Sequence, residues 1–145
     1  MRRPIRIFAG IVALAVSASC GRAEPAAGDD CRASAQTFWE SFRQAAATGD
    51  SAGLAELSRF PLQIEGTLDE ELEPLARNAF ESRVPGLLAA DTGLKEDSYP
   101  QRQLVADTAQ APDVECLGAA GAFRVGSMAF ERSDGAWHLV KIYME

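Results

Sequence analysis

Few residues in the chain could do chemistry. His138 is the only histidine, and with Tyr99, Tyr143 and several aspartates it makes up the supply of general acids and bases. Acid/base catalysis needs a group that titrates near the working pH and a donor for the charge that develops in the transition state. His138 follows Trp137 in "AWHLVKIY", a stretch with strand character, so the two side chains point to opposite faces. If Trp137 faces the core, His138 faces away from it, and no carboxylate adjoins it in sequence to orient it. Asp50, Asp69 and Asp134 read as helix caps or turn residues. Ser127, in "VGSMA", lacks the second glycine of a nucleophile elbow. No phosphate loop or dinucleotide fingerprint is present. The expectation is therefore no catalytic set and no cofactor.

The cysteines carry more information. Cys20 closes "AVSASC" at the end of an apolar run, and the N-terminus reads as a secretory signal: Arg2, Arg3 and Arg6, then Ile7 to Val16, then small residues. The run is too short to cross a bilayer, which takes about 20 apolar residues. Cys20 after Ser17-Ala18-Ser19 resembles a bacterial lipobox, which implies lipid attachment at its thiol; the alternative is ordinary cleavage after Ser19 or Ala23. If Cys20 carries lipid, Cys31 and Cys116 are left as a pair, and export favours a disulfide between them over two free buried thiols. One histidine and no closely spaced cysteines give no metal site.

Charge narrows the partners. The chain carries 14 basic and 21 acidic residues for a net charge of −7, and loss of the three signal arginines takes it to −10. That argues against nucleic acid and against electrostatic adhesion to anionic lipid. The expected organisation is a signal peptide over 1–19, a flexible tether over 20–30 in "GRAEPAAGDD", and one domain over 31–145.

The elements that must position any site follow from periodicity. "CRASAQTFWESFRQAAATGD" predicts a helix with Phe38, Trp39, Phe42, Ala45 and Ala46 on one face, ended at Gly49. Asp50 or Ser51 then caps a short helix through "AGLAELS". "RFPLQIEG" alternates like a strand, with Pro61 placing it at an edge or a strand start. "TLDEELEPLARNAFESRVPGLLAAD" has a helical stripe of Leu72, Leu75, Ala76 and Phe80, opened by Pro74 and broken at Pro85-Gly86, with a further short helix from Leu87. "TGLKEDSYPQ" reads as a loop and "RQLVAD" as a strand. "GAFRVGSMAFER", "SDG" and "AWHLVKIYME" predict strand, turn, strand, with Asp134-Gly135 as the hairpin signal. Phe123 and Val125 oppose Met128 and Phe130 in parity, which calls for a sheet buried on both faces or for a bulge.

Helices first and strands last predict an α+β fold. The order of "TFWESFRQAAATGDSAGLAELSRFPLQIEG" and the closing "FRVGSMAFERSDGAWHLVKIY" resemble exported bacterial members of the nuclear transport factor 2-like superfamily. The resemblance covers most of Ser34 to Tyr143 and fits poorly over 92–113. It implies N-terminal helices packed in the concavity of a curved antiparallel sheet, a cone-shaped α+β barrel. The superfamily includes isomerases, dehydratases and cyclases that transfer a proton beside a carbonyl inside the cone. Here the expected function is instead a cell-envelope lipoprotein whose non-catalytic domain binds a small apolar ligand or a protein partner. The candidates to line a pocket are Trp39, Phe42, Phe123, Trp137 and Tyr143. The alternatives are a small acid/base enzyme using the cone, and an immunity-type partner-binding protein working through the sheet face, where a homodimer could also form. The expected location is the exported bacterial cell envelope, membrane-anchored by lipid, or periplasmic or secreted if Cys20 is not lipidated.

Overall fold

A two-stranded and a four-stranded antiparallel unit meet in the middle of one sheet. The first is β1 (Ser58–Glu65) with β2 (Glu71–Leu75); the second system runs β3 (Glu115–Leu117), β4 (Ala120–Val125), β5 (Met128–Ser133) and β6 (Ala136–Tyr143). The strand order is β2-β1-β6-β5-β4-β3. All neighbours are antiparallel except β1 and β6, which run parallel with Ser58 opposite Leu139 and Ile64 opposite Ile142. The structure, a computed structural model, describes residues 27–66, 71–91 and 99–144. The stretch read as a signal peptide, and Cys20, lie outside the described residues.

The expected cone is not formed. The sheet is mixed and open, with β2 and β3 at opposite edges and not paired to one another. Those edges are short, five and three residues, and β2 carries Pro74, which has no N–H to offer another strand. The α+β class stands, but the sheet is neither closed nor strongly curled.

Four helices cover one face. Helix α1 (Ala27–Thr48) takes in the last four residues of the stretch read as a tether, with Asp29 and Asp30 in its first turn, where the helix dipole favours acids. It ends as expected: Gly49 takes φ +68°, Gly49 N–H donates to Ala46 O and Asp50 N–H to Ala45 O, a Schellman closure. Asp50 then caps α2 (Ser51–Glu56) by accepting from Gly53 N at 2.9 Å.

Three expectations fail for a tertiary reason. The acidic segment expected to open a helix is β2, because Leu72 and Leu75 pair with Ile64 and Leu62 on β1. Pro61 sits in an interior strand rather than at an edge, tolerated because the β1–β6 ladder shifts register between Ser58 and Gln63. Helix α3 (Arg77–Ala89) runs through Pro85 instead of breaking there. Its buried stripe of Phe80, Val84 and Leu88 outweighs the loss of one helical hydrogen bond.

The segment read as a strand, "RQLVAD", is helix α4 (Gln101–Asp107), burying Gln101 and Val105. Arg43 holds its end, donating to Val105 O at 3.2 Å and Ala106 O at 2.7 Å. "GAFRVGSMAFER" is two strands rather than one. Gly126 (φ +57°) and Ser127 turn the chain, so Phe123, Val125, Met128 and Phe130 all face inward. This explains the parity conflict without a second buried face. Gln101 clamps the turn: its Nε2 donates to Val125 O at 3.1 Å, and its Oε1 accepts from Ser127 N at 3.2 Å and Ser127 Oγ at 3.0 Å. In β6 a bulge does change the parity, between the pairs Phe130–Leu139 and Ala129–Lys141, so Trp137, Leu139 and Ile142 all point in.

Cys31 and Cys116 are bonded, Cα–Cα 6.2 Å, across a sequence separation of 85. By chain-entropy reasoning a loop of that size contributes about 4–5 kcal/mol. Gly121 is needed beside it, since a Cβ there would come within 2.9 Å of Cys31 Sγ and 2.7 Å of the Trp137 ring.

Candidate functional site

Four of the five aromatic side chains expected to line a pocket are spent on packing, and the fifth, Tyr143, lies on the opposite face of the sheet. Trp39, Phe42, Phe123 and Trp137 are at most 5 % exposed. Trp39 stacks on Phe42 at 5.7 Å, Phe123 stacks on Phe130 at 4.7 Å, and Phe42 meets Phe130 edge-on at 5.0 Å. Each indole N–H has an acceptor, Thr108 O at 2.8 Å for Trp39 and Ser34 Oγ at 3.0 Å for Trp137. The void between the helices and the sheet beside Phe42 measures about 10 Å³. That holds about one water-sized probe and no organic ligand. The clefts with volume are open ones on the helix side. One of about 370 Å³ lies between α1 and α4, and one of about 780 Å³ lies between α1 and residues 110–114.

The groups expected to supply acid/base chemistry are not brought together. Tyr99 lies before α4, where its hydroxyl bonds Asp107; that bond to a carboxylate raises its pKa. Asp50 is a cap, and Asp134 (φ +51°) with Gly135 (φ +79°) forms the tight β5–β6 turn. Asp69 lies outside the described residues. His138 and Tyr143 share β6 but sit near its two ends. Among the described residues no group of three or more His, Cys, Asp or Glu is placed to hold a metal ion. No helix among them is long and apolar enough to cross a membrane.

The remaining feature is the sheet face that the helices leave uncovered. Alternation puts Arg59, Glu65, Arg124, Glu131, Ser133, His138, Lys141 and Tyr143 on it, opposite the buried Leu62, Ile64, Phe123, Phe130, Trp137, Leu139 and Ile142. These polar side chains are arranged by one another. At the far end Lys141 Nζ lies 2.8 Å from Glu65 Oε2, a bond that raises the lysine pKa. The Arg124 guanidinium sits 3.9 Å from the centroid of the Tyr143 ring, with Lys141 Nζ at 5.5 Å. At the near end Arg59 on β1 reaches across β6 to bond Ser133 on β5.

His138 lies between those two strands, half-buried and directly across from Glu131. Its Nδ1 is buried without a hydrogen-bond partner. Burial, and then the Arg59 guanidinium, push its pKa below the ordinary value, so the neutral imidazole is favoured. The alternation argument from Trp137 thus gives the correct face. What sequence reasoning did not pick out is the set of charged residues that shares its face: Arg59 beside it, and Glu65, Arg124 and Lys141 toward Tyr143. The signal was available in "AFRV" and "LVKIY", where a single cation interrupts an apolar run.

No family model matches the sequence, and no curated protein matches it. Among solved structures, the chain is similar to an NTF-2-like protein of unknown function from Silicibacter pomeroyi, with 19 % identity, 74 % of this chain and 87 % of that chain covered, and a TM-score of 0.40. It is also similar to an NTF2-like protein with a cystatin-like fold from Novosphingobium aromaticivorans, with 16 % identity, 79 % and 80 % covered, and a TM-score of 0.43. At that level of superposition neither brings an activity, a ligand or a partner to this chain.

Proposed function

We propose that the protein is a lipid-anchored domain of the bacterial cell envelope that binds a protein partner through the uncovered face of its sheet. One observation carries this reading over the apolar-ligand and enzyme readings. The inner face is packed shut, with a void of about 10 Å³, while the outer face carries side chains already held in place by ion pairing and stacking. Pre-ordered Tyr and Arg side chains bind at a smaller entropic cost than free ones, and both types are enriched where interfaces concentrate their energy. The face holds both signs of charge, which suits a complementary protein surface and also a second copy related by a two-fold axis. The Cys20 anchor and the envelope location rest on the signal pattern in "AVSASC".

A photo-crosslinking side chain at position 143, installed in the full-length protein in its host, tests the reading. The expected result is one defined protein adduct, lost when Arg124→Glu is added, and no adduct from the same probe at position 40 on α1. An adduct of twice the mass identifies a second copy. No adduct at 143, or an adduct that Arg124→Glu leaves intact, would overturn the sheet-face reading.

A further inference from the structure

We infer that the β3–β4 turn, Leu117 to Ala120, is the part of the domain that rests on the membrane surface. The inference rests on the reading of Cys20 as lipid-bearing and adds how the anchored domain is oriented. Leu117 is 81 % exposed, against 39 % for Leu72 and 40 % for Met144, the other large apolar side chains exposed among the described residues. It is not isolated: Leu117, Gly118, Ala119 and Ala120 are all exposed, and none is charged. The neighbouring β5–β6 turn at the same end of the sheet uses Asp134-Gly135 instead, the ordinary polar choice for a turn in water. An uncharged exposed turn stands out in a chain as acidic as this one.

Its position is what points to a lipid surface. Cys116, the residue before the turn, is bonded to Cys31 in the second turn of α1. Helix α1 starts at Ala27, about 6 Å of helix rise before Cys31. Cys20 is seven residues before Ala27, so even a fully extended chain keeps an acylated thiol within about 25 Å of the helix start. A link that short holds this end of the domain at the bilayer, and the disulfide makes the Leu117 turn travel with it. Leu72 and Met144 are at the other end of β6: Leu72 pairs with Ile64, and Met144 N–H donates to Glu65 O.

Charge defines the kind of surface. Asp29, Asp30 and Glu115 lie close to the turn in sequence or through the disulfide, against Arg32 beside Cys31 and Arg132 at 3.1 Å from Asp30, so this end carries no positive excess. The contact is therefore apolar, made at neutral headgroups rather than by attraction to anionic lipid. With this end down, the strands stand away from the membrane and the outer sheet face stays open to the side.

The test uses the mature full-length protein, its acylation verified by intact mass, in phosphatidylcholine nanodiscs that contain a lipid with a paramagnetic headgroup. Leucine methyl NMR should show the Leu117 signals reduced at least about twofold more than those of Leu72. Leu117→Ser, which is at the surface and leaves the core intact, should speed transfer of the acylated protein between vesicles by about threefold to tenfold. Equal broadening of Leu117 and Leu72 on acylated protein would overturn the inference while leaving the anchor in place. A mass without acyl groups would remove the anchor reading, and the inference with it.

Discussion

The two faces of the sheet are made from alternate residues of the same strands, yet they behave as different materials. On β6, Trp137, Leu139 and Ile142 are at most 5 % exposed and belong to the hydrophobic core. Their neighbours His138, Lys141 and Tyr143 face out: Lys141 pairs with Glu65, Arg124 sits over the Tyr143 ring, and the Arg59 charge disfavours the His138 cation. Inside, specificity comes from shape, and the aromatic rings leave no room for a guest. Outside, it comes from charge and orientation, and the side chains are only partly covered. Stability is thus concentrated on one face, and any capacity to recognise something is left to the other.

Substitutions can test that contrast. The largest effect belongs to the inner face: Phe130→Ala removes a fully buried ring that meets Phe38, Trp39, Phe42 and Phe123, and should cost about 3–5 kcal/mol in denaturant unfolding. A loss below 1 kcal/mol would mean the inner face is looser than described. An intermediate effect belongs to the clamp between α4 and the β4–β5 turn. Gln101→Leu keeps the bulk but strands Val125 O and Ser127 N–H, and should cost about 1–3 kcal/mol by the same measurement.

The smallest effect belongs to the outer face and is read best in pH. Because His138 has its pKa lowered in the folded protein, the unfolded chain takes up its proton first as pH falls below about 6.5. Its contribution is present above that pH and is lost as pH falls toward the folded value. Arg59 and Glu131 are the charged groups that face it. Urea midpoints at pH 7.5 and 5.5 should fall further in the wild type than in His138→Gln, with little difference between the two proteins at pH 7.5. A steeper fall in the variant would reverse the sign and place His138 in a site that stabilises its cation.

What could be read from the sequence was what depends on near neighbours. The Phe38-Trp39-Phe42 stripe, the Gly49 stop, the Asp50 cap and the Asp134-Gly135 turn each follow from a few adjacent residues, and each is present. The outward direction of His138 followed from alternation alone. What misled was context at a distance. "ELEPL" is polar and proline-bearing and becomes a strand only because β1 offers an edge. "QRQLVAD" has no strong period, and its helix is fixed by Gln101 reaching the β4–β5 turn and by Arg43 at its end. The Gly126-Ser127 turn is not legible locally because its polar partner lies on a different element, 26 residues away. The outer-face group is not legible as a group in the sequence because its members come from four strands, and only the sheet order brings them together.

The parallel pairing of β1 with β6 also determines when the molecule can fold. Ser58 must wait for Leu139, and without β6 the sheet falls into a two-stranded hairpin and a separate β3–β5 piece, neither with a complete core. Contacts that join distant parts of a chain form slowly, because the intervening loop must be closed before any pairing compensates for it. A chain emerging residue by residue therefore stays open until its residues 136–143 are available. A sheet whose centre is its latest strand thus delays folding by topology alone.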